Sequence, residues 1–523
     1  MTRPGPWCAA VVSLRLAGLA LAATGAAAGG AALLAGGWGA LSLLRVPRGR
    51  VALEVLLAAG VGDALAPGPR WPWLVAALLA AAWLLLAPEA GAYPLNGLDR
   101  YFVAQDYPGA RINSHHVVDT RDALDHDALV LALGALMAEA PLARSFVREA
   151  ALGAERFFAL APFVDPADLV ERRATPLETD DGWAALDAPF DLARRPPLRV
   201  VHAPREGGGW RLALTVHHSA VDGAGGLLLL DRLLRHYLAC TGGAPPPPPF
   251  VDPGGRRLRD VLRPRGRAWL LRMIWRHARP LDKVGVRNAS LLDDETARPA
   301  GSRHRLAALP ADDWRRLGER AATLGLTRND LLLAAVLRAA DAWRQARGKD
   351  ERPFRVLLPT DLRATLGLPP RTLQNVVGVV RADFTLAEVR DPDLPAIVSR
   401  RVKAGRDLEE AVEAPVNLGT VSALLPPWLF RRALRAFDAD PRSFFFSLLW
   451  SHIRVPPDLA RLPGTEAVWV RGSLVRQPGF GVVLVNDGGQ ATLAFEYLVP
   501  LASDEGAADL EARLLAEARA FVA

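Results

Sequence analysis

Hydrophobic and polar positions divide the chain into two textures. Between Leu16 and Leu44 there is no charged residue, and a helix of that length can cross a hydrocarbon core of ~30 Å. Glycines at 18, 25, 29, 30, 36, 37 and 39 would let helices pack closely in lipid. Arg45, Arg48 and Arg50 follow, then a weaker apolar run from Val51 to Ala66 that carries Glu54 and Asp63. Trp71 to Ala87 is a second, short span with tryptophans placed as interfacial anchors. The pattern predicts two to three membrane helices within residues 1–90. A signal peptide ending near Ala26-Ala27-Ala28, or a leader read from a start too far upstream, are the alternatives. The arginines at 45–50 and 70 fit either orientation; the expected arrangement is a cell-membrane protein with its catalytic part in the cytoplasm.

From Tyr93 onward the periodicity is that of a globular protein. Ile112 to Asp119 reads as a strand, and Asp122 to Asp125 as a turn and helix cap before a helix over Leu129 to Ala138. Pro197 to Val201 and Trp210 to Val216 form a hairpin about Gly207-Gly208-Gly209. The second strand runs into His217-His218-Ser219-Ala220-Val221-Asp222-Gly223, a glycine-rich turn, and a helix over Leu227 to Leu238. Pro245 to Pro249 cannot continue helix or sheet and marks a linker. Nine arginines lie between Arg256 and Arg279. Arg265, Arg272, Arg276 and Arg279 share a helical face opposite Leu270, Leu271, Met273 and Ile274. That fits a helix on an anionic membrane surface or a solvated basic connector.

A second half begins near Arg303. It predicts strands over His304 to Leu309, Arg355 to Pro359, Asn375 to Val380, and Phe444 to Trp450 running into Ser451-His452. A hairpin joins Val482 to Val485 and Thr492 to Tyr497 through Asn486-Asp487-Gly488-Gly489. Helices are expected over Leu317 to Leu324, over Leu331 to Trp343 capped near Thr327, and over Asp504 to Val522. Sheets with covering helices in both halves imply α/β (α+β layered) architecture. The expected divisions are 1–90 for the membrane region, 91–250 for a first lobe, 251–300 for a Pro/Arg-rich linker and 301–523 for a second lobe.

Composition narrows the function classes. At 523 residues the chain is too long for one core, and two cysteines, Cys8 and Cys240, exclude a disulfide framework. The net charge of +7 comes from arginine, and no motif for nucleic acid accompanies it. The candidate chemistry is the histidine turn, because side chains at the C-terminal edge of a strand meet open space. Three readings of it stand side by side. His218 could be a general base, since neutral imidazole has a pKa near ~6.5, with Asp222 orienting the turn and Gly223 allowing a close backbone bend. His217, His218 and Asp222 could bind a metal, although no further ligand cluster accompanies them. Or the histidines could be satisfied core residues. A second pair, His115 and His116 after Ser114, lacks the glycine and reads as ordinary strand histidines. No G-x-S-x-G elbow supports a serine hydrolase.

HHSAVDG, preceded by PFDLARRPPLRV and a hairpin, resembles the HHxxxDG acyltransferase superfamily. That superfamily includes peptide-synthetase condensation domains, bacterial wax ester synthase/diacylglycerol acyltransferases and polyketide-associated acyltransferases. Leu98-Asp99-Arg100, ALDHDAL, TRNDLLLAAVLRA, PTDLR and NVVGVV extend the resemblance over residues 93 to 520. It implies two chloramphenicol-acetyltransferase-like lobes with an active-site tunnel between them. It implies His218 as the catalytic base, Asp222 paired with an arginine of the second lobe (Arg363 of PTDLR), Gly223 shaping the site and His217 supporting the turn. No metal or other cofactor is expected. The cosubstrate would be an acyl-CoA or acyl-carrier thioester, the acceptor a lipophilic alcohol or amine, and the protein a monomer. A stand-alone condensation protein and a catalytically silent lipid- or partner-binding scaffold are the rival functions. Ser451-His452-Ile453 stands where the superfamily often has a serine-asparagine-glycine turn, so that turn's role does not carry over.

Overall fold

Strands largely of apolar residues, several of them buried on both faces, build the two large sheets of this computed structural model, which describes residues 92–149, 156–160, 164–178, 180–248, 287–439 and 446–522 with a few positions between 262 and 273. The apolar stretches within 1–90 lie outside the described residues. Among the described residues, no helix is long and apolar enough to cross a membrane.

Five strands make the first sheet: β1 (Asn113–Thr120), β2 (Val170–Arg172), β3 (Leu198–Pro204), β4 (Trp210–His217) and an outer strand, Thr465–Arg471. Their order is Thr465–Arg471, β1, β4, β3, β2. β1 and β4 are antiparallel, with Asn113 opposite His217 and Thr120 opposite Trp210. Helices α1 (Gly97–Gln105), α2 (His126–Glu139) and α3 (Gly223–Cys240) belong to this part of the chain, and α2 packs on α3. Leu129, Leu133, Leu136, Leu229, Leu230 and Leu233 bury against Val118, Leu212, Leu214 and Val216 of the sheet. Leu and Val supply both surfaces because a helix stripe and a strand face must each be covered. The opposite face is a smaller cluster of Val117, Val201, Ala213 and Trp469.

The second sheet has six strands: β5 (Gly301–Leu309), β6 (Phe354–Asp361), β7 (Val377–Phe384), β8 (Leu448–Arg454), β10 (Phe480–Asn486) and β11 (Ala491–Val499), with the outer strand Thr465–Arg471 of the first sheet as β9. The order is β7-β6-β8-β10-β11-β5. β8 runs parallel to both β6 and β10, and the other pairs are antiparallel. Helices α4 (Ala311–Thr323), α5 (Arg328–Ala346), α6 (Leu394–Gly405), α7 (Leu408–Leu424), α8 (Pro427–Ala439) and α9 (Asp504–Ala520) accompany it. In α5 every position from Asp330 to Leu337 is buried, and Thr327 and Asp330 close a reciprocal cap at its start.

Most elements begin within a few residues of where periodicity puts them, and four differences have physical causes. The glycines after the histidine pair are not a turn before the helix. α3 begins at Gly223, because the Asp222 carboxylate caps the Gly225 amide at 2.8 Å and starts the helix there. Asn375 precedes its strand, which starts at Val377. Helix α7 carries Pro415 in its interior, which hides it from pattern reading. Finally, β9 lies in the last fifth of the chain yet pairs with β1, Val468 opposite Val118 and Arg471 opposite His115. The second half therefore supplies an edge strand to the first half's sheet.

Within the arginine-rich stretch the described apolar side chains face inward, while Arg265 and Arg272 are exposed. Trp269 and Met273 are buried in the core of the second half. Trp269 Nε1 and Arg272 donate to Glu409 of α7 at 2.9 and 2.7 Å. Of its predicted apolar side, Met273 is described and packs against protein.

Candidate active site

The site forms where β4 leaves the sheet. The His217 amide still bonds Pro197 O at 2.8 Å, and the His218 amide bonds Ile112 O at 2.8 Å. The chain then turns, with Ala220 N on His217 O at 2.9 Å, and Asp222 caps α3. His217 is fully buried. Its Nδ1 accepts from the Ser219 amide at 3.2 Å and lies 2.8 Å from Ser219 Oγ, so that nitrogen is spent on the turn. Its other nitrogen is 3.7 Å from Asp106 Oδ2. Burial alone would raise the Asp106 pKa; the His217 contact and Arg111 outweigh it and hold that carboxyl below its ordinary value. His218, one residue on, is only partly buried.

Asp222 and Arg363 meet across 141 residues of sequence as a bidentate pair, Nη1 to Oδ2 and Nη2 to Oδ1 each at 2.9 Å. Both are nearly inaccessible to solvent. The Val376 amide donates to Asp222 Oδ2 at 2.9 Å. Arg363 spends further donors on the Thr372 and Gln374 carbonyls, at 2.9 and 3.0 Å from Nη2, and on Asp361 at 3.0 Å. Burial works against the guanidinium charge, but the Asp222 carboxylate outweighs it and raises the Arg363 pKa. A buried charged pair is stable only when every remaining donor and acceptor is served, and here most are. The pair ties the histidine turn to the segment between β6 and β7.

Gly223 and Gly226 are needed for close approach rather than for bending. A Cβ on Gly223 would lie 2.8 Å from Ile453 Cδ1 of β8, and one on Gly226 would lie 1.9 Å from His116 Nε2. His116 is thus directly under the first turn of α3. It and His115 are fully buried strand residues. His115 bonds Thr215 at 2.9 Å and Asp187 at 3.0 Å, and burial pushes its pKa down to about 4. His116 contacts Ser114 Oγ at 3.1 Å, and burial pushes its pKa down to about 3. The sequence-predicted residues His217, His218, Asp222, Gly223 and Arg363 therefore gather in one place. Ser451 and His452 lie inside β8, where His452 Nε2 meets Asn486 at 2.5 Å. Among the described residues no group of three or more His, Cys, Asp or Glu is placed to hold a metal ion.

Three contacts on His218 were not singled out from sequence. Asn375 Oδ1 is 3.2 Å from His218 Nδ1, and Asn375 Nδ2 donates to the His218 carbonyl at 2.7 Å. The same Nδ2 donates to Asp99 Oδ1 at 2.7 Å. The Phe102 ring stacks on the imidazole, with centroids 4.2 Å apart and planes 27° apart. Asn375 opens the NVVGVV stretch and Asp99 is the middle residue of LDR, so both segments were visible but neither residue had a partner until the fold supplied it. Burial holds the His218 pKa below its ordinary value, against the opposing pull of Asp222 and the Asn375 contact. A cleft of about 930 Å³, lined among others by Trp183, Asp187, Arg211, Arg303 and His304, includes none of the predicted site residues in its lining.

No family model matches the chain. An uncharacterized protein of Mycobacterium tuberculosis is 33% identical over 146 residues, 27% of this chain and 33% of that protein. The chain thus matches about a third of that curated relative's length. Among solved structures, polyketide synthase associated protein 5 from M. tuberculosis aligns with a TM-score of 0.56 at 18% identity, covering 79% of this chain and 99% of that one. A trichothecene 15-O-acetyltransferase from Fusarium sporotrichioides gives 0.61 at 12% identity, covering 82% and 95%. The first condensation domain of the CDA synthetase gives 0.59 at 19% identity, covering 82% and 96%. The fold of this chain is the one shared by the condensation domain, the acetyltransferase and the polyketide synthase associated protein.

Proposed function

We propose that this protein is an acyltransferase in which His218 is the general base, moving an acyl group from a CoA thioester to the hydroxyl or amine of a lipophilic acceptor. The observation that carries the reading is the placement of His218. It is the one histidine of the pair with solvent access, and it sits on a turn clamped by the buried Asp222–Arg363 pair. Its lowered pKa keeps the ring neutral near pH 7, the form that can accept a proton. The acceptor O–H or N–H attacks the thioester carbonyl as His218 takes its proton. The C–S bond then breaks, and the proton passes from the imidazolium to the departing thiolate. The products are an ester or amide and a free thiol.

Likeness to a synthetase condensation domain favours a second donor, an acyl-carrier-protein thioester. Incubating the purified protein with acyl-CoA and a panel of long-chain alcohols, diacylglycerols and amines should release free thiol. Release only from acyl-carrier protein would favour the second donor, and release from neither would favour a non-catalytic scaffold. With a working substrate, His218→Ala is expected to lower kcat by about 10²–10⁴-fold. Wild-type turnover by that variant would refute the general-base role.

A further inference from the structure

We infer that Asn375, held by Asp99 of helix α1, is a positioning residue that fixes His218 as the Nδ1–H tautomer, so that Nε2 is the atom that accepts the proton. The inference rests on the reading of His218 as base, but its geometry stands apart from that reading.

The donors and acceptors around Asn375 decide how its amide is oriented. A primary amide has two N–H donors on nitrogen and only acceptor capacity on oxygen. Asn375 Nδ2 has two oxygens within 2.7 Å, the His218 carbonyl and Asp99 Oδ1. Exchanging the amide's oxygen and nitrogen would set oxygen against both of these oxygens, so the orientation is decided by the network. Oδ1 must then be the atom facing His218 Nδ1 at 3.2 Å, and an acceptor there requires a proton on Nδ1. The His218 carbonyl accepts from Asn375 Nδ2, so one amide holds both the ring nitrogen and the backbone of His218. A neutral imidazole protonated on Nδ1 carries its lone pair on Nε2.

Asn375 is in turn fixed from two sides. Its own carbonyl accepts from Asn96 Nδ2 at 3.1 Å. Asn96 and Asp99 form the reciprocal cap of α1, with Asn96 N on Asp99 Oδ2 and Asp99 N on Asn96 Oδ1, each at 2.9 Å. Asp99 therefore uses one oxygen to start the helix and the other to aim Asn375. One turn further along, the same helix lays Phe102 across the His218 ring. Helix α1 thus sets the tautomer through Asp99 and the ring plane through Phe102. Gly97 lets it seat closely, since a Cβ there would fall 2.2 Å from the Gly419 amide of α7.

The test reads the tautomer directly. The full-length protein in detergent micelles is labelled with ¹⁵N-histidine, His218 is assigned by its loss in His218→Gln, and the ring nitrogens are measured at neutral pH. The expected wild-type result is one neutral form with the proton on Nδ1. Asn375→Leu should add a second signal set from the Nε2–H form and lower kcat at least about tenfold with a smaller change in KM. Should Asn375→Leu fail to fold, Asp99→Ala removes the acceptor that aims the amide and should produce the same mixture. A wild-type Nε2–H form overturns the inference. So does an unchanged single Nδ1–H form in both folded variants, whatever their rates. If the tautomer responds as expected but His218→Ala turns over normally, the positioning stands and the general-base reading fails.

Discussion

At the scale of single residues, the site separates groups that look alike in sequence. His217 and His218 are neighbours, yet one ring is fully buried beside Ser219 and Asp106 while the other residue is partly exposed and packs on Phe102. If His218 is the base, the rate should fall as pH drops through its pKa. Because that pKa lies below 6.5, the acid limb of kcat/KM is expected below pH 6.5. A limb centred above that value would point to another group. The two glycines also differ. Gly223→Ala presses on the end of an isoleucine, which can swing aside, while Gly226→Ala presses on the His116 ring, whose Nε2 is held near Ser114. Gly226→Ala is therefore expected to cost about 1–3 kcal/mol by urea unfolding, and Gly223→Ala less. Equal losses would mean that the helix, not the contact, sets the cost. The glycines of HHSAVDGAGG were legible as special positions, but their partners Ile453 and His116 were not, because both lie on other strands.

At the scale of elements, capping chemistry was the most readable signal. Asp125, Thr327 and Ser503 each accept a helix amide as N-caps where polar residues precede apolar runs. The histidine turn was readable as the end of a strand. Strand β9 was not, since TEAVWVR has no local cue that names β1 as its partner. Its Arg471 is buried and donates to Asp187 at 2.7 Å and Ser302 at 2.5 Å, joining the first sheet to β5. Residues 92–248 produced alone would leave β1 unpaired on one side, an open apolar edge. They are expected to aggregate, and co-production with residues 287–522 should restore soluble protein. A soluble, cooperatively unfolding 92–248 fragment would show that β9 is dispensable.

At the scale of the whole molecule, buried titratable groups predict how stability follows pH. Burial pushes the pKa of His115, His202 and His452 down to about 4 and that of His116 to about 3, and lowers His218 and His304 too. Below pH 6.5 the unfolded chain takes up protons that these rings refuse, so each favours unfolding as pH falls from 6.5 toward its folded value. Burial raises Glu496 to about 7 and Asp438 to about 6, and these act in the opposite sense over the same range. With six histidines against two carboxyls, the unfolding free energy is expected to decline between pH 6.5 and 4.5 in urea titrations. A rise across that interval would mean the two carboxyls dominate.

The sequence by itself determined the layered α/β architecture, most strand and helix positions, and the turn that carries His218, because those depend on periodicity, caps and short-range spacing. Asp222 and Arg363 were legible as partners only through a resemblance, not through spacing. The tertiary structure alone decided that the two form a buried bidentate pair, that β9 closes the first sheet, and that Asn375, Asp99 and Phe102 converge on one imidazole. Each of these joins residues more than a hundred positions apart. A contact of that kind is set by how sheets and helices pack, and local pattern carries no information about it.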